Sequence, residues 1–205
     1  MFLVVGLGNP GRRYVSTRHN VGFKVIENLQ NRWQIQGDSA QLGSLVGNGM
    51  VANVRTILAR PQKFMNRSGQ PVASIAGYYK LDEQDVLVVH DDVDLPFGQV
   101  RVKRGGGHGG HNGLRDLIKH IGRDYPRIRV GVGRPPEGWD TADYVLGKWS
   151  PSEQDELPQI VDRASDAVEA CLRGGLEAAM NQFNTRPKAD NQAENNGARE
   201  RLGEQ

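Results

Sequence analysis

Short apolar runs alternate with helical stripes along almost the whole chain, with no break in composition, and this alternation constrains the fold more than any other feature. Phe2 to Val5 and Val86 to His90 read as buried strands. Gln99 to Lys103 and Arg127 to Gly133 alternate cleanly, with Val100, Val102, Ile128, Val130 and Val132 on one side and Arg101, Lys103, Arg127 and Arg129 on the other. Residues 42 to 59 mix Gly, Asn and β-branched residues in the manner of a hairpin. Strands and helices in alternation point to one α/β domain with helices on both faces of a sheet. A chain of 205 residues can bury a sizeable core in such a domain.

Helix boundaries follow from capping residues and apolar spacing. Asn20 stands where it could cap a helix carrying Val21, Phe23, Val25, Ile26, Leu29 and Trp33, and Asn66 or Ser68 could start one carrying Val72, Ile75, Ala76 and Tyr79. Leu114, Leu117, Ile118 and Ile121 form a stripe beginning at Asn112. Ser152 could cap a long helix through Leu172, which Gly174-Gly175 would separate from a last one through Met180 and Phe183. The domain is expected to span residues 1–184. Residues 185–205 hold four basic and four acidic side chains with one Leu, too little apolar surface to offset chain entropy, and are expected to be a disordered tail.

The first residues carry no basic leader, and no apolar run reaches bilayer-spanning length, so a soluble cytoplasmic protein without membrane contact is expected. The single Cys171 falls on a helical apolar face and has no partner for an internal disulfide. Net charge is only +2, but it is unevenly placed. Residues 1–36 hold five Lys or Arg against one acid and residues 99–134 nine against two, whereas residues 135–205 hold seven against fourteen. A local excess of +7 in a nearly neutral chain suits a phosphate-facing surface, although a solvated face would show the same count.

Four segments could carry chemistry. Gly6-Leu7-Gly8-Asn9-Pro10-Gly11 matches the dinucleotide-binding glycine pattern, which requires the glycines to open a helix. Arg12 to Arg18 are basic and β-branched instead, so the segment reads as a loop that carries Asn9 and His19 to the sheet edge. His19 precedes the first helix. Asp91, in His90-Asp91-Asp92-Val93-Asp94, could orient its imidazole for proton abstraction from water, provided the two strands run parallel and end at the same edge. The same acids could equally form a polar turn toward Pro96-Phe97-Gly98.

Lys63-Phe64-Met65-Asn66-Arg67-Ser68-Gly69 sets an apolar pair beside amides and hydroxyls. The run from Lys103 to Gly113 is mostly glycine and leads into a helix whose first N–H groups could face a phosphate. His90, His108 and His111 leave a zinc or manganese site open as an alternative, although ligands on a glycine-rich loop are costly to pre-order.

Taken together, Gly-Leu-Gly-Asn-Pro-Gly, Arg-His-Asn-Val-Gly-Phe, Phe-Met-Asn-x-Ser-Gly and His-Asp-Asp-Val-Asp-Leu-Pro-Phe-Gly, leading into Gly-Gly-His-Gly-Gly-His-Asn-Gly-Leu, resemble the bacterial peptidyl-tRNA hydrolases, in order, from about Phe2 to Phe183. The resemblance implies a monomeric esterase with a twisted mixed β-sheet between helices and neither metal nor other cofactor. Its substrate would be an N-blocked peptide esterified to the terminal ribose of tRNA. His19 would be the general base, its reference pKa of about 6.5 suiting the task, and Asp91 its orienting carboxylate. Asn9, Asn66 and Asn112 would hold the peptide main chain, the terminal nucleotide and the attacking water. Phe64 and Met65 would form an apolar wall, with Tyr14 nearby and His111 supporting the pair. Lys103 and Arg129 would clamp a tRNA phosphate. Two other readings stand beside this one: a metal-dependent phosphoester hydrolase and a noncatalytic RNA-binding protein.

Overall fold

The N-terminal apolar run becomes β1 (Phe2–Gly6), the middle strand of a seven-stranded sheet, in a computed structural model that describes residues 1–35 and 38–185. Its side chains enter two separate cores. Val4 packs with Val25, Ile26 and Leu29 of α1 (Val21–Arg32) and with apolar residues of α5 (Pro151–Phe183). Leu3 and Val5 pack on the opposite face with Val72 and Ile75 of α2 (Gly69–Tyr79) and Leu117 of α3 (Asn112–Ile121). A strand covered on both faces has no polar face to present, which is why its sequence does not alternate. The result is three layers, helices on either side of the sheet.

The other strands are β2 (Ser39–Gln41), β3 (Ser44–Val51), β4 (Val54–Pro61), β5 (Val86–Asp92), β6 (Val100–Arg104) and β7 (Pro126–Gly131). They lie in the order β2-β3-β4-β1-β5-β7-β6. β1 runs parallel to β4 and β5, and β5 parallel to β7, whereas β2, β3 and β6 pair antiparallel, so the sheet is mixed. Gly6 stands opposite Val89, so the chain leaves β1 beside the end of β5. The hairpin expected in residues 42 to 59 is β3–β4, and both residues of its tight turn, Ala52 and Asn53, have positive φ, as a two-residue type I′ connection requires.

Several local details differ from the sequence expectations. β5 runs on through Asp91 and Asp92, so Asp91 is a ladder residue opposite Val130 and not the start of a turn. The long helix is capped by Ser150, not Ser152: Pro151 occupies the first turn, and Glu153 stands three residues beyond Ser150, which completes a capping box. Asn20 and Ser68 both hold N-cap positions but make no capping hydrogen bond; the Ser68 hydroxyl donates to the Met65 carbonyl. The short helix α4 (Thr141–Leu146), capped by Asp140, carries too few residues for a legible stripe. Gly175, at φ 81°, breaks the last helix where the glycine pair suggested. The expected tail, residues 185–205, lies outside the described residues except for Thr185. Among the described residues no helix is long and apolar enough to cross a membrane.

The loop after β1 packs directly on the first turn of α1, and this contact needs glycine. A Cβ on Gly22 would lie 2.5 Å from both the nitrogen and the oxygen of Leu7 and 2.6 Å from the Val89 carbonyl oxygen, all backbone atoms. Helix propensity alone would make Gly22→Ala stabilising by about 1 kcal/mol. The contact predicts the opposite sign, a loss of about 1–3 kcal/mol as in other overpacked cores, measurable by urea unfolding.

Candidate active site

The connection from β1 to α1 carries His19 in a 3-10 turn (Arg18–Asn20) that immediately precedes the helix. Asn20 explains how the loop is held. Its side-chain oxygen accepts the Asn9 backbone N–H at 2.9 Å, and its amide nitrogen donates to the Asn9 carbonyl at 2.9 Å. One buried amide thus ties His19's turn to Asn9 across eleven residues of sequence. Sequence reasoning assigned Asn20 to helix capping; its position next to His19 and its ability to donate and accept at once were the available signals.

His19 Nδ1 lies 2.8 and 2.9 Å from the two oxygens of Asp91, which is only 2% exposed. A buried carboxylate without donors would be strongly unfavourable, so Nδ1 carries the proton and Nε2 keeps its lone pair. A second imidazole reaches the same carboxylate: His111 Nε2 is 3.1 Å from Asp91 Oδ1. Its tautomer follows from the other nitrogen, because His111 Nδ1 accepts the backbone N–H groups of Gly113 and Leu114 at 3.1 and 3.2 Å. Nδ1 must be unprotonated to do so, and Nε2–H therefore donates to Asp91. His90, alongside, donates from Nδ1 to the Asp91 carbonyl at 2.6 Å.

These contacts set the charges. Burial acts to lower the His19 pKa, but the charge and hydrogen bond of Asp91 outweigh it and hold the imidazole above its ordinary 6.5. Burial acts to raise Asp91, and the two histidines overcome it, keeping the carboxyl well below the usual carboxylate range. Both shifts favour an imidazolium–carboxylate pair. His90 goes the other way, pushed down to about 3 by burial and then by His111, and stays neutral.

All eleven residues singled out in the sequence border one cleft of about 810 Å³. Asn9 accepts the Met65 backbone N–H on its side-chain oxygen at 2.8 Å, so its amide is fixed with the nitrogen free to donate. Asn66 and Asn112 are exposed on the cleft lining. Phe64 is 52% exposed and meets Tyr14 edge to face at 6.3 Å, while Met65 is buried beneath. α4, which the sequence did not reveal, adds Thr141, Ala142, Val145 and Leu146 to the wall.

The basic face resolves into unequal parts. In the β6–β7 pairing Arg101 stands opposite Arg129, and Lys103 opposite Arg127. Arg127 is buried and donates to the carbonyls of Gly106, Gly107 and Arg123 at 2.6 to 3.3 Å, pinning the glycine loop. Arg101 donates to the Asn184 carbonyl. Lys103 is exposed at the cleft, and Arg129 is held through Nε by Asp92 at 2.7 Å, which leaves its two terminal nitrogens unpaired among the described residues. The expectation of a phosphate at the start of α3 is not met, because the His111 ring occupies the N–H groups of Gly113 and Leu114.

A metal ion could be considered at His19, Asp91 and His111, whose ligand atoms lie within 4.8 Å of one another. The donor chemistry fits poorly. With His111 Nδ1 already accepting two N–H groups, ligation through Nε2 would require an imidazolate, and the ion would displace the hydrogen bonds that neutralise Asp91. Of the other two expected ligands, His108 instead accepts the Gly110 N–H on Nδ1 at 3.0 Å, and His90 has Nδ1 engaged by the Asp91 carbonyl.

A histidine–aspartate pair at the carboxyl edge of an α/β sheet, bordered by amide side chains, has the make-up of a hydrolase site. A sequence model of the family described as peptidyl-tRNA hydrolase matches residues 3–192. A peptidyl-tRNA hydrolase of Roseiflexus sp. (strain RS-1) is 45% identical over 189 residues, covering 91% of this chain and 87% of its own length. One of Frankia alni is 48% identical over 183 residues, covering 89% and 93%. The crystal structure of peptidyl-tRNA hydrolase from Acinetobacter baumannii superposes with a TM-score of 0.85 at 39% identity, covering 90% of this chain and 95% of that one. The chain belongs to the peptidyl-tRNA hydrolase family and is a hydrolase acting on an ester bond.

The electrostatics give a measurable sign. In an NMR titration His19 should titrate above 6.5 and His90 remain neutral to about pH 3. In Asp91→Asn the raising influence is removed while burial stays, so the His19 pKa should fall below 6.5. A His19 resonance unmoved by Asp91→Asn would contradict the pairing.

Proposed function

We propose that this chain hydrolyses the ester between an N-blocked peptide and the 3′-terminal ribose of tRNA, with His19 as general base and Asp91 as the group that orients it. The observation that carries the reading is the placement of His19 Nδ1 within hydrogen-bond distance of both Asp91 oxygens, which directs the proton to Nδ1 and leaves Nε2 to take one from water. Asp91 then stabilises the imidazolium formed as water attacks the ester carbonyl. Return of the proton to the departing ribose oxygen completes the exchange, so one base serves both steps.

The remaining roles follow from the chemistry of each side chain. Asn9, with its nitrogen fixed outward by Met65, suits a carbonyl oxygen of the peptide. Asn66 and Asn112 offer both donors and acceptors to the terminal nucleotide and the attacking water. Tyr14, Phe64 and Met65 present apolar surface beside them. His111 supports Asp91 from the second side. Lys103 and the free nitrogens of Arg129 suit a tRNA phosphate, recognised by charge and not by base identity. Membership of a translation-related family supports work in the cytoplasm, and the chain is proposed to act as a monomer. The imidazolate that a metal would require supports the metal-free reading over a metal-dependent phosphoesterase.

With N-acetyl-aminoacyl-tRNA as substrate, His19→Ala should lower turnover by about two to four orders of magnitude, and a chelator should leave the native enzyme unaffected. Near-native turnover in His19→Ala would remove the base; loss on chelation with recovery on adding a divalent ion would revive the metal reading. Lys103→Ala and Arg129→Ala should weaken productive binding and make it less salt-dependent, each reducing the log–log slope by about one. An unchanged slope would count against the clamp.

A further inference from the structure

Arg18 immediately precedes His19, yet the chemistry above does not use it. Its side chain is 11% exposed, and every polar contact it makes leads to α4, to the first turn of α5 or to the segment between them. Nε and Nη2 donate to the two oxygens of Glu153 at 3.3 and 2.7 Å, and Nη1 donates to the carbonyls of Lys148 and Tyr144 at 2.9 and 3.4 Å. The guanidinium also lies over the Tyr144 ring, 4.4 Å from its centre. The backbone repeats the junction: Thr17 bridges Lys148, the Arg18 N–H donates to Gly147, and the Trp149 N–H donates to Ser16. His19 is therefore held from both sides, by Asn20 to Asn9 and by Arg18 to Glu153.

An exposed ion pair contributes little and tolerates Arg-to-Lys exchange. This pair is largely buried, forked and stacked, a geometry that only a planar guanidinium satisfies. Glu153 has a second task, accepting the Ser150 N–H at 2.6 Å in the capping box.

We propose that Arg18 and Glu153 form a positioning pair for His19, fixing the imidazole against Asp91 and joining that placement to α4, the cleft wall carrying Thr141, Ala142, Val145 and Leu146. The inference rests on His19 being the base. The charged and titratable groups facing the ring are Asp91 from β5 and His111 from the segment before α3, with ring centres of the two histidines 4.9 Å apart. A loosened turn lengthens the bond to Asp91 while His111 stays anchored by its own cap. The imidazole then loses the influence that makes it more basic, and proton abstraction is misaligned.

The test compares Arg18→Lys, Glu153→Gln and the double variant with N-acetyl-aminoacyl-tRNA, reading kcat, KM, the pH profile and thermal unfolding. Glutamine also serves in a capping box, so Glu153→Gln removes the charge pair while leaving the helix start supported. Because a misplacement of about 1 Å can cost about a hundredfold in rate, each single variant should lower kcat by roughly tenfold or more, with KM within about twofold. The double variant should be no slower than the worse single one, and the acid limb of the profile should move to lower pH in all three. Native kcat in both singles would overturn the pairing, and so would a loss matched by the unfolded fraction with the acid limb unmoved. Activity retained in His19→Ala would instead overturn the assignment of the base; activity that depends on His19 but not on Arg18 or Glu153 overturns only this inference.

Discussion

The buried Asp91 carboxylate is the interaction on which the site's organisation depends. A carboxylate this enclosed is strongly unfavourable unless donors surround it, and here the donors are two imidazole N–H groups from distant parts of the chain. Its need for partners therefore fixes the relative placement of three segments: β5, the turn before α1 and the start of α3. Each imidazole has its orientation decided by the same bond. For His19 that leaves a basic nitrogen; for His111 it leaves a nitrogen that closes the end of a helix.

Sheet topology makes this meeting possible without strain. β1 and β5 are parallel neighbours, so the loop leaving β1 begins beside the end of β5. The chain returns to β5 only after α1, β2 to β4 and α2, and the loop from β1 to α1 provides the room in which Asn9, Tyr14 and His19 are displayed. Close packing then keeps that loop from drifting. Gly22 lets the helix approach the backbone of Leu7, and Asn20 binds the loop's two ends through both polar atoms of one amide. Of the glycines that resembled a nucleotide-binding pattern, Gly6 lets the backbone of Gly22 approach and Gly8 lies against the Phe23 ring, whereas a side chain on Gly11 would meet nothing within 4 Å.

What the sequence disclosed and what it concealed divide along the range of the interaction. The strands around Val4, Val88 and Val130 were legible because a strand's burial is written in consecutive residues, and the long helices because their stripes repeat locally. The cleft residues were identifiable through the order and chemistry of their motifs. Partnerships join residues far apart and were less legible: His19 with Asp91, across 72 positions, was anticipated from the motifs, whereas Arg18 with Glu153, across 135, was not. Competition between caps was misread for a related reason. Ser152 and Ser150 are both acceptable by type, and only Pro151 and Glu153 in combination decide between them. Asn20 occupies a capping position and leaves the cap unmade, because pairing with the Asn9 backbone satisfies its donor and its acceptor together.

The basic strands show how charge is apportioned between fold and function. Like charges directly opposite one another destabilise an antiparallel pair, yet β6 and β7 set Arg101 against Arg129 and Lys103 against Arg127. Arg127 is withdrawn from the conflict by burial against the carbonyls of the glycine loop, and Arg129 by Asp92 at its Nε. Arg101 turns to the carbonyl of Asn184, whose side chain bonds the Val102 backbone in both directions along the open edge of β6. Lys103 is left without such a partner among the described residues, and it is exposed on the cleft. Of the four basic side chains paired between β6 and β7, Lys103 and the outer nitrogens of Arg129 are left on the cleft with no partner among the described residues.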